Sequence, residues 1–210
     1  MRIGIGITTN GRPHLLEALL VSIRKHTFME NVTTYVADDT HRKQGVAKMK
    51  NECLRALKDK DYIFLLDDDV EIIKDGWVEF FVGKRFNHLL FLNDHLHTKI
   101  GSMHDYIFYR NCGGVFMAMS KDVVKAVGAF NEKFTPYGFE HAEYSKRIEM
   151  AGLITHAYTM RDGTDQYIFA HDYSTPNHKS SITDEEKKTH VSNNWLRFFN
   201  EPITEIYLPL

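Results

Sequence analysis

The sequence predicts an α/β domain: a central, mostly parallel sheet flanked by helices, with a mixed second half. Three observations carry that prediction. Up to residue 70, short β-branched runs alternate with amphipathic stripes, the pattern of strands joined by helical crossovers. The run Tyr62-Ile-Phe-Leu-Leu66 is apolar throughout, as suits a strand buried on both faces of a parallel sheet. That run ends in Asp67-Asp68-Asp69, so a stiff strand delivers three carboxylates to the edge where open α/β sheets bind ligands.

Ile3 to Thr8 reads as a first, central strand in which Gly4 and Gly6 permit close backbone approach. Thr8-Thr9-Asn10-Gly11-Arg12-Pro13 is a polar turn, and Pro13 opens a helix with Leu15, Leu16, Leu19, Leu20 and Ile23 on one stripe. Val32 to Ala37 is a second strand, ending in Asp38-Asp39-Thr40. Gly45 to Leu57 is a helix with Val46, Met49, Cys53, Leu54 and Leu57 inward and Lys48, Lys50 and Arg55 toward the polar side. After the acidic trio, Trp77 to Val82 reads as a short helix. Leu89 to Leu92, Ile107 to Tyr109 and Val115 to Met119 then read as strands, with Cys112-Gly113-Gly114 as a tight turn. Ser120 is placed to cap a helix from Lys121 to Val127 that Gly128 ends. The stretch from Phe134 through Glu140 opens a further helix, running to Ala151. Ile168 to Tyr173 reads as a late strand, Ser180 to Lys188 as a charged loop or exposed helix, and the remainder as an apolar tail.

Bulk properties exclude several classes. A formal charge of −2 gives no general attraction to nucleic acid or anionic membrane. Two cysteines, Cys53 and Cys112, make no disulfide framework and read as reduced thiols. No run approaches the roughly 18 apolar residues of a membrane span, and the N-terminus enters a strand pattern without a signal-peptide core. A cytoplasmic protein is expected. His95 and His97 form a His-x-His pair near His104, with no further ligand at zinc-site spacing.

Asp67 and Asp69, one residue apart, can share a hard divalent cation that leaves coordination sites for substrate phosphates. The Asp-x-Asp spacing alone is weak. Asp59-Lys60-Asp61 repeats it with no apolar strand before it and reads as a solvated turn.

The order of these motifs resembles the family-2-like glycosyltransferases of the GT-A fold, across residues 3 to 175. The resemblance rests on Thr8-Thr9-Asn10-Gly-Arg12-Pro13, Asp38-Asp39, Lys48-Met-Lys50-Asn51, Leu66-Asp67-Asp68-Asp69 and Gly113-Gly114-Val-Phe-Met. Val127-Gly-Ala-Phe-Asn-Glu-Lys-Phe134 and Tyr137-Gly-Phe-Glu140-His141-Ala-Glu-Tyr-Ser complete it. It implies a nucleotide-sugar donor, usually a uridine diphosphate sugar, bordered by Thr8, Thr9, Asn10 and Arg12. It places Asp38 or Asp39 on the base, Lys48, Lys50 and Asn51 along the base and diphosphate, and Asp67, Asp68 and Gly114 on the same donor side. Lys50 stands where many relatives have Arg, which keeps the charge but loses the planar fork. Mn²⁺ or Mg²⁺ would sit on Asp69 with Asp67, and His171 is the candidate third ligand.

For an inverting transfer the resemblance calls for a general base at Glu140-His141, where many relatives carry Glu-Asp. His141 is favoured over Glu140, since imidazole titrates near neutral pH. Both residues could instead only cap their helix. The chain is expected to be one GT-A domain, with residues 1–85 binding the nucleotide sugar, 86–175 the acceptor, and 176–210 an extension. The stretches from His88 to Tyr109 and Ser180 to Lys188 are the expected acceptor walls. The acceptor is open between glycan, protein, small molecule and modified DNA. A nucleotidyltransferase and a binding module without turnover are the alternatives.

Overall fold

A computed structural model of the chain describes residues 1–82, 86–171 and 182–210. Its main sheet has five strands. In chain order they are β1 (Ile3–Thr9), β2 (Val32–Asp38), β3 (Tyr62–Asp67), β5 (His88–Leu90) and β8 (Phe116–Ser120), ordered β2-β1-β3-β8-β5 in space. β1 runs parallel to β2 and β3, whereas β8 is antiparallel to both β3 and β5. The parallel half is the one predicted from the strand and helix alternation.

Every residue of β1 is buried. At Gly6 an added Cβ would lie 2.6 Å from Cβ of Cys53, so helix α2 (Val46–Ala56) rests directly on the strand. Helix α1 (Pro13–His26) starts at its proline and buries Leu15, Leu19 and Ile23. β3 lies between β1 and β8 with all but its last residue buried. Beneath it Phe64 packs on Trp77 at 4.7 Å and Phe81 on Phe116 at 4.8 Å between ring centroids. Trp77 and Phe81 belong to the short helix α3 (Trp77–Phe81).

The reversal at β8 positions the site. Leu66 pairs with Phe116 and the N–H of Asp67 donates to the Val115 carbonyl at 2.8 Å. Gly114 is thereby brought beside the acidic trio. Residues 112–114 run without the expected tight turn. Directly after the trio, β4 (Val70–Ile72) pairs antiparallel with β10 (Ile168–Ala170), and the N–H of His171 donates to the Asp69 carbonyl at 2.7 Å. The late strand is therefore shorter than predicted, and Asp172 and Tyr173 lie outside the described residues. A third sheet, β6 (Lys99–Met103), β7 (Tyr106–Tyr109) and β9 (Thr159–Arg161), is antiparallel.

Helix α4 (Lys121–Val127) ends at Gly128 as expected, but the Ser120 side chain does not cap it. Its hydroxyl donates to Asn87 Oδ1 at 3.2 Å instead. Gly128, at φ 67°, has a Cβ position 1.8 Å from the Leu208 carbonyl oxygen, so only glycine lets the C-terminal tail pair there. Helix α5 (Glu140–Met150) follows Phe139, which takes a left-handed φ of 70°. Of the charged stretch from Ser180 to Lys188, Ser180 and Ser181 lie outside the described residues. The rest enters helix α6 (Asp184–Asn200), which opens with a Thr183/Glu186 capping box. Asn194, buried on α6, places Nδ2 within 3.1 Å of the Phe134, Tyr137 and Gly138 carbonyls. Among the described residues no helix is long and apolar enough to cross a membrane.

Candidate active site

The carboxylates of the trio are each held by a residue of the first strand and its turn. Thr8 Oγ1 donates to Asp67 Oδ1 at 2.7 Å and Thr9 Oγ1 to Asp68 Oδ2 at 2.6 Å. Arg12 donates through Nη1 to Asp69 Oδ2 at 2.9 Å and through Nη2 to Asp68 Oδ1. Burial pushes the Asp68 carboxyl up from its ordinary range, against the opposing pull of Arg12.

Lys50 was expected on the polar side of α2. It is fully buried, pointing inward to the Gly114 carbonyl at 3.0 Å and Glu140 Oε1 at 3.2 Å. Asp67 Oδ1 is 3.9 Å from the same ammonium. Burial opposes that charge, but Asp67 and Glu140 outweigh it and raise the lysine pKa. Helical periodicity assigns a lysine to solvent by default. The carboxylate that reverses the assignment comes from α5.

His141 packs against Gly114 so closely that a Cβ there would lie 2.6 Å from the ring Cγ. Its Nδ1 is 3.2 Å from Glu140 Oε1 and its Nε2 is 3.3 Å from the Cys112 carbonyl. Both ring nitrogens face oxygen acceptors, and only the imidazolium can donate to both. Burial disfavours that charge, yet Glu140 overcomes it and raises the pKa to about 10. Burial alone would raise the Glu140 carboxyl; Lys50 and His141 together hold it well below its ordinary range. Glu140 Oε2 is buried and has no hydrogen-bond partner among the described residues.

Two cavities meet at Asp67. The smaller, about 80 Å³, is lined by Thr8, Thr9, Asn10, Arg12, Asp39, Asp67 and Asp69, with Tyr137, Ile182 and Lys187 from the second half. The larger, about 360 Å³, is lined by Asp67, Arg110, Cys112, Gly114, Glu140 and His141, with Phe139, Tyr158, Phe198 and Phe199. The expected acceptor walls shift accordingly. His88 is buried on Ser145 and the Ala118 carbonyl, with burial lowering its pKa to about 4. The segment just after Tyr109 lines the larger cavity instead. Ile182 and Lys187 face the smaller one.

Asp38, Asp39, Asn51, Lys48 and His171 differ in exposure and contacts. Asp38 is exposed and accepts from Thr40. Asp39 accepts the N–H groups of Gln44 and Gly45, pinning the entry to α2. Asn51 is buried on Phe130 and Glu132, and Lys48 is half-buried on α2 outside both cavity linings. His171 sets Nε2 against Glu71 Oε1 at 2.8 Å. Phe198 and Phe199 were read only as part of an apolar tail, because nothing local in a terminal helix reveals which cavity it reaches.

Asp67 and Asp69 line one cavity and offer the oxygen ligands that Mg²⁺ or Mn²⁺ takes. No preformed cluster of three or more His, Cys, Asp or Glu ligands occurs among the described residues. The residues therefore fit an ion completed by substrate phosphates, while His171 holds Nε2 on Glu71.

Residues 94–172 match the family model described as the N-terminal domain of galactosyltransferase. An uncharacterized glycosyltransferase of Acanthamoeba polyphaga mimivirus is 25% identical over 142 residues, 62% of this chain and 55% of the relative. The chain thus spans about half the length of that relative. Among solved structures, Drosophila β-1,4-galactosyltransferase 7, in complex with manganese, UDP-Gal and xylobiose, superposes with TM-score 0.60 at 17% identity, covering 90% of this chain and 79% of that one. Staphylococcus aureus TarS, in complex with UDP, gives 0.55 at 13%, covering 95% and 72%.

The chain has the GT-A fold. The GT-A fold expected from the sequence is the fold found, with the parallel half of the sheet carrying the acidic trio. Within this GT-A domain the family match includes Glu140 and His141 but not the trio.

Proposed function

We propose that the chain transfers a sugar, with inversion, from a nucleotide-diphosphate sugar to an acceptor hydroxyl. The observation that carries the reading is Asp67 at the junction of two cavities, one lined by the donor-side residues and the other by Glu140 and His141. The solved neighbours add support. Drosophila galactosyltransferase 7 is described with manganese and UDP-Gal, and a Pyrobaculum calidifontis mannosyltransferase with GDP-Man and Mn²⁺. A uridine diphosphate sugar is our choice of donor, and Mn²⁺ or Mg²⁺ our choice of cation, held by Asp67 and Asp69.

When bound, the cation supplies Lewis-acid stabilisation to the departing diphosphate. Thr8 and Thr9 fix Asp67 and Asp68, and Asn10, Arg12 and Lys187 line the space for nucleotide and phosphates. Glu140 is our general base. Its Oε2 accepts the acceptor hydroxyl proton as that oxygen bonds to the anomeric carbon and the carbon–phosphate oxygen bond breaks. The preference between the two candidate bases therefore reverses, because an imidazolium with a pKa near 10 has no lone pair to offer at neutral pH. His141 is a positioning residue here, holding Glu140 through Oε1. We retain the division into a nucleotide-sugar half, an acceptor half and a C-terminal extension. Free Cys53 and Cys112 fit a reducing compartment such as the cytoplasm.

The test is a thermal-shift and turnover screen of nucleotide sugars with and without Mn²⁺ or Mg²⁺. A ligand that binds only the folded chain raises its melting temperature. A metal-dependent shift with a UDP-sugar, followed by release of UDP, is the expected result. Binding without turnover on any acceptor would favour a recognition module.

A further inference from the structure

Arg12 touches two carboxylates of the trio at once, Asp69 through Nη1 and Asp68 through Nη2. The three side chains are 10%, 2% and 0% exposed for Arg12, Asp69 and Asp68. Carboxylates buried this deeply need a counter-charge on them. Arg12 and Asp69 line the smaller cavity, while Asp68 does not. One arm of the guanidinium is thus anchored away from the cavity, and the other holds the carboxylate that the proposed cation would take.

We propose that Arg12 is a resident counter-ion that competes with the divalent cation for Asp69, and that the donor diphosphate relieves this competition. The proposal rests on the metal and donor reading above. A cation on Asp69 stands beside the like charge of Arg12 and weakens its Nη1 contact to Oδ2. A diphosphate in the same cavity offers Arg12 phosphate oxygens instead, since the planar guanidinium fork suits them. Cation and nucleotide then strengthen one another's binding through Arg12, a coupling that must be reciprocal.

Removing the side chain should move the two affinities in opposite directions. In Arg12→Gln, Mn²⁺ without nucleotide should bind about tenfold tighter, and UDP in EDTA about tenfold weaker, the ordinary scale of such coupling. A residue that merely supports the fold would weaken both. Calorimetric titration of Mn²⁺ and of UDP into wild type, Arg12→Gln and Arg12→Lys reads this directly. Should Arg12→Gln not fold, Arg12→Lys carries the test. Its single ammonium lacks the fork that spans both carboxylates, so donor-free Mn²⁺ binding should again exceed that of wild type. Unchanged or weaker Mn²⁺ binding in the folded variant overturns the proposal. If wild type binds no Mn²⁺ even with UDP, the metal reading itself fails. If it does so and the variants match it, only the role of Arg12 is lost.

Discussion

Lys50 Nζ and Glu140 Oε1 stand 3.2 Å apart in the protein interior, although 90 residues separate them in the chain. Breaking one side of a buried pair leaves an uncompensated charge, typically at a cost of about 3–5 kcal/mol. Lys50→Met should lower stability by about that much in urea unfolding. Adding Glu140→Gln to the same chain should recover part of the loss. A double variant no better than the single one would show that the pair carries no net coupling.

Loss of the base should separate chemistry from binding. Glu140→Gln is expected to reduce turnover by about 100- to 10,000-fold, with nucleotide-sugar affinity nearly unchanged by titration. His141→Gln should fall less, since the amide can still donate to Glu140. A dead His141→Gln beside an active Glu140→Gln would return the base to His141.

His141 also predicts a pH dependence. Its folded pKa lies near 10, above the ordinary 6.5, so the stability from its charged form is complete below about pH 6.5 and fades as pH rises toward 10. The difference in urea midpoint between wild type and His141→Gln should be largest near pH 6 and shrink toward pH 10. A gap that widens over that range would mean that the imidazole is neutral when folded.

Asp69→Asn should abolish the cation-dependent part of donor binding, measured as the loss of the Mn²⁺-induced melting shift with UDP. A shift equal to wild type would remove the trio from the metal site.

Gly114 has no room for a side chain, with a Cβ position 2.6 Å from His141 Cγ. Gly114→Ala should cost about 1–3 kcal/mol from overpacking and displace the carbonyl that Lys50 holds. Wild-type stability and turnover in this variant would show that the His141 ring can move aside freely.

The parallel half of the fold was legible because its signals are local. The β1 glycines and the apolar run at Tyr62 to Leu66 each declare an element within a few residues, as does the stop at Gly128 in the second half. The meeting of Thr8, Thr9 and Asp67 at one cavity was legible for the same reason, since all three lie at strand ends. The larger cavity was not. The inward turn of Lys50, the double donation of His141 and the arrival of Phe198 and Phe199 at the cavity all depend on partners from distant segments. No periodicity encodes such meetings. Ser120 shows the reverse error, since a residue at a good capping position spends its hydroxyl on Asn87.

Asn194 gives the C-terminal helix a further significance. Its amide grips the backbone on the approach to Glu140, at Phe134, Tyr137 and Gly138, although α6 lies outside the family-matched residues. The helix that helps to wall the larger cavity also sets the angle at which the chain enters α5. A chimaera that exchanges α6 to alter what the cavity admits would therefore disturb the presentation of Glu140 unless the incoming helix keeps an amide at that position. Under the proposed function, recognition and reactivity are then not separable modules, and the graft boundary is one asparagine.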